Sequence, residues 1–168
     1  MCGALNVQAL QVAGPSGALI SEKDFHRTIS YTDLPTGGSM IVFGKQRDIL
    51  NDVVMNFMDF FIEESCGSCS TCRNMTSVLK ERFIKILEGR GVESDIEDLM
   101  NWSDLLKVSR CGLGQTAANP ITSSITNFRH LYANLLQKDV TFDTGFDLEE
   151  SVKASCAAVG RQPILHNL

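Results

Sequence analysis

The sequence predicts an α+β protein that is mainly α: a partial N-terminal β segment, a four-helix bundle and a C-terminal tail. Three observations predict it. The first 45 residues are short apolar runs punctuated by Gly and Pro. From Gln46 onward the apolar residues recur at helical spacing in four successive segments. After Lys138 the chain turns polar and irregular. A chain of 168 residues with 43% hydrophobic and 21% charged content is long enough to bury a core of ordinary size.

In the first segment the turn signals are Gly14-Pro15-Ser16-Gly17 and Leu34-Pro35-Thr36-Gly37-Gly38. Between them the runs Val7 to Val12 and Met40 to Phe43 read as short strands. The segment is too short for a complete sheet domain and reads as the end of one. Gly14 to Gly17 is not a phosphate loop, because it lacks the glycine spacing and following helix of a nucleotide fingerprint.

Leu50, Val53, Val54, Phe57, Met58 and Phe61 give a first helix over 46–63. Residues 65–71, with Gly67, break it. A second helix over 72–88 turns Met75, Val78, Leu79, Phe83, Ile86 and Leu87 inward and ends at Gly89 and Gly91. A third over 94–107 carries Ile96, Leu99, Met100 and Leu106, with Ser94 as N-cap and Glu97 completing a capping box. Residues 108–114 read as a loop. A fourth helix over 119–136 has Asn119 as cap, Pro120 at its first position, and a core face of Ile121, Ile125, Phe128, Tyr132 and Leu135. Leu148 to Val159 predicts a short final helix. The expected divisions are 1–45 for the β segment, 46–136 for the helical domain and 137–168 for the C-terminal extension.

Cysteine placement carries the chemistry. Cys66, Cys69 and Cys72 lie in Glu64-Ser-Cys-Gly-Ser-Cys-Ser-Thr-Cys-Arg73, and Cys111 follows 38 intervening residues after Cys72. Three thiolates at two-residue intervals can wrap one face of a compact inorganic centre, and a fourth can close it. Cys-x2-Cys-x2-Cys is the spacing of [4Fe–4S] sites, whereas tetrahedral zinc sites more often pair two Cys-x2-Cys or Cys/His couples. An iron–sulfur cluster is therefore the favoured occupant. The alternative is a zinc ion that pins two loops of an interaction module without redox activity. Short connections make the helices run up, down, up, down. The loop between helices one and two then shares an end with the loop between three and four, which supports Cys111 as the fourth ligand.

A ligand must be a thiolate, and a helix N-terminus favours the anion; Cys72 is expected to open the second helix. Gly67, Gly112 and Gly114 let backbone approach a cluster and point N–H groups at sulfur. Arg73 reads either as a charge that raises the cluster's potential or as a solvated helix residue. Cys2 and Cys156 have no second thiol or His at ligand spacing and read as ordinary small thiols. His26, His130 and His166 are scattered without metal spacing, and Trp102 reads as a core or interface aromatic.

The charge balance excludes some partners. A net charge of −5 argues against nucleic acid and anionic membranes. No apolar run approaches a membrane span, and the N-terminus has no secretory pattern. The expectation is a cytoplasmic protein without direct membrane insertion, in a reducing compartment where clustered thiols are ligands rather than disulfides.

These motifs match a known family. Residues 64–73 together with Cys111-Gly-Leu-Gly-Gln-Thr-Ala-Ala-Asn-Pro120 resemble the C-terminal part of the NADH-binding flavoprotein subunit of respiratory complex I. The same module occurs in NAD-reducing hydrogenases and NAD-dependent formate dehydrogenases. Val12-Ala-Gly-Pro-Ser-Gly17 and Gly37-Gly-Ser-Met-Ile-Val42 resemble the family's motifs just upstream of its helical domain, a β-grasp-like region of which residues 1–45 would be a remnant. Phe142-Asp-Thr-Gly-Phe-Asp-Leu-Glu149 is most similar to the diaphorase (alpha) subunit of the hydrogenases. One departure is local: Ser70-Thr71 stands where many relatives have Thr-Pro, which costs some loop rigidity.

The resemblance implies a [4Fe–4S] cluster held by Cys66, Cys69, Cys72 and Cys111. That cluster takes electrons from a flavin mononucleotide and passes them along an iron–sulfur chain. The family's flavin- and NADH-binding domain lies N-terminal to everything present here. No residue of this sequence is therefore assigned to FMN or NADH, and no catalytic residue is assigned. Both cofactors are expected only on that preceding domain or on a partner. The partners implied are a flavin/NADH-binding domain or subunit and the other iron–sulfur subunits of an oxidoreductase complex.

Overall fold

The computed structural model describes residues 6–137, 152–153 and 156–161. Two compact units are present, residues 1–138 and residues 139–168.

In the first unit, β1 (Val7–Val12), β2 (Ala18–Ser21) and β3 (Met40–Gly44) form an antiparallel sheet in the order β2-β1-β3. Leu10 pairs with Ile20 on one side and Val42 on the other. β1 and β3 follow the predicted runs. β2 was not predicted, because its four residues are too few to display alternation. The turn between β1 and β2 depends on glycine. A Cβ at Gly17 would sit 1.7 Å from the Val12 carbonyl oxygen, and Gly14 adopts φ +65°.

The first helix begins at Ile49, not at Gln46. Asp48 Oδ1 accepts from the backbone N–H groups of Leu50 and Asn51 (2.9 and 3.0 Å) and so caps the start. The opening turn, Ile49–Val54, is π-helical and runs on into α1 (Met55–Glu63). All six predicted core residues here are buried. α2 (Ser70–Leu87) starts two residues before the predicted position, with Cys69 as N-cap and Cys72 in the first turn. Its buried stripe is Cys72, Thr76, Leu79, Phe83 and Ile86. Val78 is 40% exposed, contrary to expectation, and Thr76 takes the inward place by donating its hydroxyl to the Cys72 carbonyl (2.7 Å). A threonine that satisfies itself on its own helix loses little by burial.

α3 (Glu93–Ser103) continues into a 3-10 segment, Asp104–Val108. The predicted Ser94 cap is wrong. Val92 is the N-cap residue, and Asp95 Oδ2 accepts the Val92 backbone N–H (2.8 Å) from inside the helix. Met100 faces outward. The predicted loop contains a short helix, α4 (Gly112–Thr116). The predicted fourth helix is two: α5 (Asn119–Asn127) and α6 (Arg129–Ala133), broken at Phe128 with φ −130° and ψ 33°. Ala118, not Asn119, is the N-cap; the Asn119 side chain donates instead to the Ser16 carbonyl (2.6 Å). The helix predicted over 148–159 lies largely outside the described residues, of which 152–153 and 156–158 are helical.

α2 packs between α1 and α3, and α5 packs on α3, on the opening turn of the first helix and on β2. One core, including Phe61, Leu79, Phe83, Leu99, Ile121 and Tyr132, runs through the helices and takes in Ala9 and Leu19 of the sheet. Each such side chain, fully removed from water, contributes roughly 1.5–3 kcal/mol. α5 is also tied to β2 by Asn127 Nδ2 donating to the Leu19 carbonyl (2.7 Å) and by the Leu19 N–H donating to Ser123 Oγ (3.3 Å). Tyr132, fully buried, shares a hydrogen bond with Ser124 (2.6 Å), and burial holds its phenol well above the usual range.

α2 and α3 are clamped by charge. The Asp95 carboxylate, 1% exposed, takes Lys85 Nζ at 2.8 Å and pairs with Arg82, whose guanidinium lies 4.7 Å above the Trp102 ring. Burial pushes this carboxyl up, but hydrogen bonds from Lys85, the Val92 N–H and Arg82 outweigh it and hold it below the ordinary aspartate range. A depressed folded-state pKa gives stability that is present above the unfolded value and lost as pH falls through the folded one. Unfolding in urea should therefore show stability falling below about pH 4. Asp95→Asn should cost about 3 kcal/mol at pH 7 and flatten that acid loss. An unchanged acid limb would contradict this assignment.

Candidate metal centre

The break between α1 and α2 and the connection from α3 to α4 meet at one end of the bundle. Glu64, Ser65, Cys66, Ser68, Cys69 and Cys72 line one side of a pocket of about 90 Å³; Ser109, Cys111, Leu113 and Gly114 line the other. All four sequence-predicted thiols therefore share one pocket. Cys156 belongs to the second unit, and Cys2 lies outside the described residues.

Each thiol is placed by a local device. The chain leaves α1 at Glu64 and turns through Gly67, whose φ of +71° disfavours any residue with a Cβ. The Gly67 N–H donates to Ser65 Oγ (3.3 Å), and Arg73 Nη1 donates to the Gly67 carbonyl (3.2 Å), closing the loop back onto α2. The structure thus gives Arg73 a loop-bracing contact, a role the sequence reading did not include. Cys69 caps α2, and Cys72 sits in the first turn, 6% exposed. The partial positive charge of the α2 N-terminus therefore lies beside the pocket. Cys111 caps α4 in the same way, with extended backbone at φ −133° and ψ 165°.

Contacts cross between the two loops. The Arg110 backbone N–H donates to Cys69 Sγ (3.4 Å), and Arg110 Nη1 donates to Ser68 Oγ (3.3 Å). Ser65 Oγ lies 3.5 Å from Cys72 Sγ. Gly114 is required by crowding: a Cβ there would sit 2.6 Å from Ser109 Cβ and 3.2 Å from Cys72 Cβ. Ser109, 3% exposed, is held by its own N–H donating to the Leu106 carbonyl and by Gln115 Nε2 donating to its carbonyl (2.9 Å). Its hydroxyl has no hydrogen-bond partner among the described residues. Sequence reasoning passed over Ser65, Ser109 and Arg110, because isolated serines and arginines carry no spacing signal.

The donor set is asymmetric. Cys72 is buried and Cys69 half-buried, whereas Cys66 and Cys111 are exposed. Among the described residues, no three His, Cys, Asp or Glu side chains converge as they would on a single ion. Four thiols around one pocket are a donor set that could hold a polynuclear centre, in which each sulfur meets its own metal corner. Of the described helices, none is long and apolar enough to cross a membrane.

The chain is 36% identical over 155 residues to the NAD-reducing hydrogenase HoxS subunit alpha of Cupriavidus necator, covering 90% of this chain and 26% of that one. It is 35% identical to the NADP-reducing hydrogenase subunit HndC of Solidesulfovibrio fructosivorans, over 74% of this chain and 27% of that one. It is 32% identical to an NADH-quinone oxidoreductase subunit of Mycobacterium bovis, over 71% and 28% respectively. The chain thus spans about a quarter of the length of these relatives. In structure it is similar to the H2-reduced NAD+-reducing [NiFe]-hydrogenase, with a TM-score of 0.75 at 33% identity over 94% of this chain and 28% of that one. The profile of the NADH-ubiquinone oxidoreductase-F iron-sulfur binding region matches residues 52–135, which span the helices and all four thiols of the pocket, and the chain belongs to that family.

Proposed function

We propose that this chain is an electron-transfer module in which Cys66, Cys69, Cys72 and Cys111 hold one [4Fe–4S] cluster. In this reading it relays electrons between a flavin/NADH site and further iron–sulfur centres of a cytoplasmic NAD(P)H-linked oxidoreductase. The observation that carries the reading is the pocket: two segments far apart in sequence bring four thiols around one space. A bound cluster supplies one-electron transfer.

The chain's own residues account for the rest. Cys69 and Cys72 are held at the start of α2 and Cys111 at the start of α4. The Arg110 N–H donates to Cys69 Sγ, and such donors raise a cluster's potential. Cys72 is buried and Cys69 half-buried, while Cys66 and Cys111 are the exposed thiols that an electron partner would approach. We assign residues 46–136 as the iron–sulfur domain, residues 1–45 as the remnant of a β-grasp-like domain and residues 137–168 as an extension. FMN and NAD belong to a domain or subunit outside these residues, with the other iron–sulfur subunits as further partners. The relatives support this context through their names, which describe NAD- and NADP-reducing hydrogenases and NADH-quinone oxidoreductases.

Anaerobic reconstitution with iron and sulfide should yield a brown protein with about four irons and four sulfides per chain. Replacing Cys2 and Cys156 together with Ser should leave that content unchanged. Stoichiometric zinc without sulfide would favour the structural-metal alternative instead.

The reconstituted chain alone should not oxidise NADH. Hydride transfer needs a bound flavin and a pocket that positions the nicotinamide, and the glycine clusters at residues 14–17 and 37–38 serve turns. Assayed with NADH and an artificial acceptor, with and without added FMN, it should stay at background. Turnover that a substitution in this chain abolishes would overturn the relay reading.

A further inference from the structure

Among the described residues, nothing pairs with the hydroxyl of Ser109 in the pocket. Its oxygen is inaccessible to solvent and has no hydrogen-bond partner among the described residues. Burying a hydroxyl unpaired costs about 1–3 kcal/mol, so native structures rarely keep one without a use. Ser109 lines the pocket together with the four thiols, two residues before Cys111. The surroundings also hold it still. Its backbone is pinned by Leu106 and Gln115. Its side chain packs so closely on Gly114 that a Cβ at 114 would lie 2.8 Å from the oxygen. The polar neighbours differ: Ser65 Oγ already accepts the Gly67 N–H and meets Cys72 Sγ, and Ser68 Oγ accepts from Arg110.

We infer that Ser109 is a positioning residue whose hydroxyl donates to a sulfur of the bound cluster, thereby raising its reduction potential. The inference rests on the cluster reading above. Reduction adds negative charge to the cluster, and a donor aimed at its sulfur stabilises the reduced form more than the oxidised one. The occupied pocket also supplies the partner that the hydroxyl lacks.

The test compares the full chain with Ser109→Ala after anaerobic reconstitution. Iron and sulfide are counted first, and the potential is then read by a redox titration followed by electron paramagnetic resonance. The expected result is equal cluster content with a lower potential in Ser109→Ala, and recovery toward the wild-type value in Ser109→Thr. A second measurement uses the apo chains. If the hydroxyl has no protein partner, removing it costs nothing, so apo Ser109→Ala should melt no lower than apo wild type. An unchanged potential, or an apo variant that melts lower, would overturn the role of Ser109 and leave the cluster reading standing. Wild-type chain that takes up no iron and sulfide would overturn both.

Discussion

Four thiols from two loops can share a pocket only if the helices behind those loops are held in register. The packing of α2 between α1 and α3 meets that constraint. α2 is the element the site cannot lose. Its first turn carries Cys69 and Cys72, and its middle buries Leu79 and Phe83. Farther along, Lys85 and Arg82 close on Asp95 of α3. A slip of α2 by one residue would turn Cys72 away from the pocket and Thr76 out of the core together. The same interactions that stabilise the bundle therefore set where the sulfurs lie.

The sheet is part of this arrangement. Leu19 and Ala9 enter the helical core, and β2 is hydrogen-bonded to α5 through Asn127 and Ser123. α5 in turn follows directly from the loop and short helix that contain Cys111 and Gly114. A rigid α5 limits the freedom of that connection, so the fourth thiol is placed by the sheet as well as by the bundle.

Much of this was legible in the sequence, for identifiable reasons. The cysteine spacing and Gly67 were readable because local backbone geometry dictates them, and the apolar stripe of the first helix was readable because its period is unbroken, whereas the stripe of the predicted fourth helix ran on through Phe128 and hid the break between α5 and α6. The misses have two causes: some residues answered tertiary contacts against their local preference, and others made local hydrogen bonds or turns that carry no periodic signal. Thr76 displaced Val78 from the core by bonding its own helix. Asp95 went inward because Lys85 and Arg82 were waiting for it, and in doing so it took over the capping that Ser94 was expected to provide. Asn119 left its cap to hold the β1–β2 turn. The short α4 hid in a glycine-containing stretch that reads as loop. At the site, the thiols announced themselves by spacing, whereas Ser109 is recognisable only by its burial without a partner.

The central claim is that four particular thiols, and no others, serve one centre. Thiol mapping tests it most directly. The reconstituted chain would be alkylated anaerobically without denaturant and the labelled cysteines identified by mass spectrometry, with the apo chain as reference. The account predicts that exposed Cys66 and Cys111 become as resistant as Cys69 and Cys72 when the cluster is present, that all four react once it is removed, and that Cys156 labels equally in both states. Labelling of Cys111 in the reconstituted chain while the other three stay protected would contradict it.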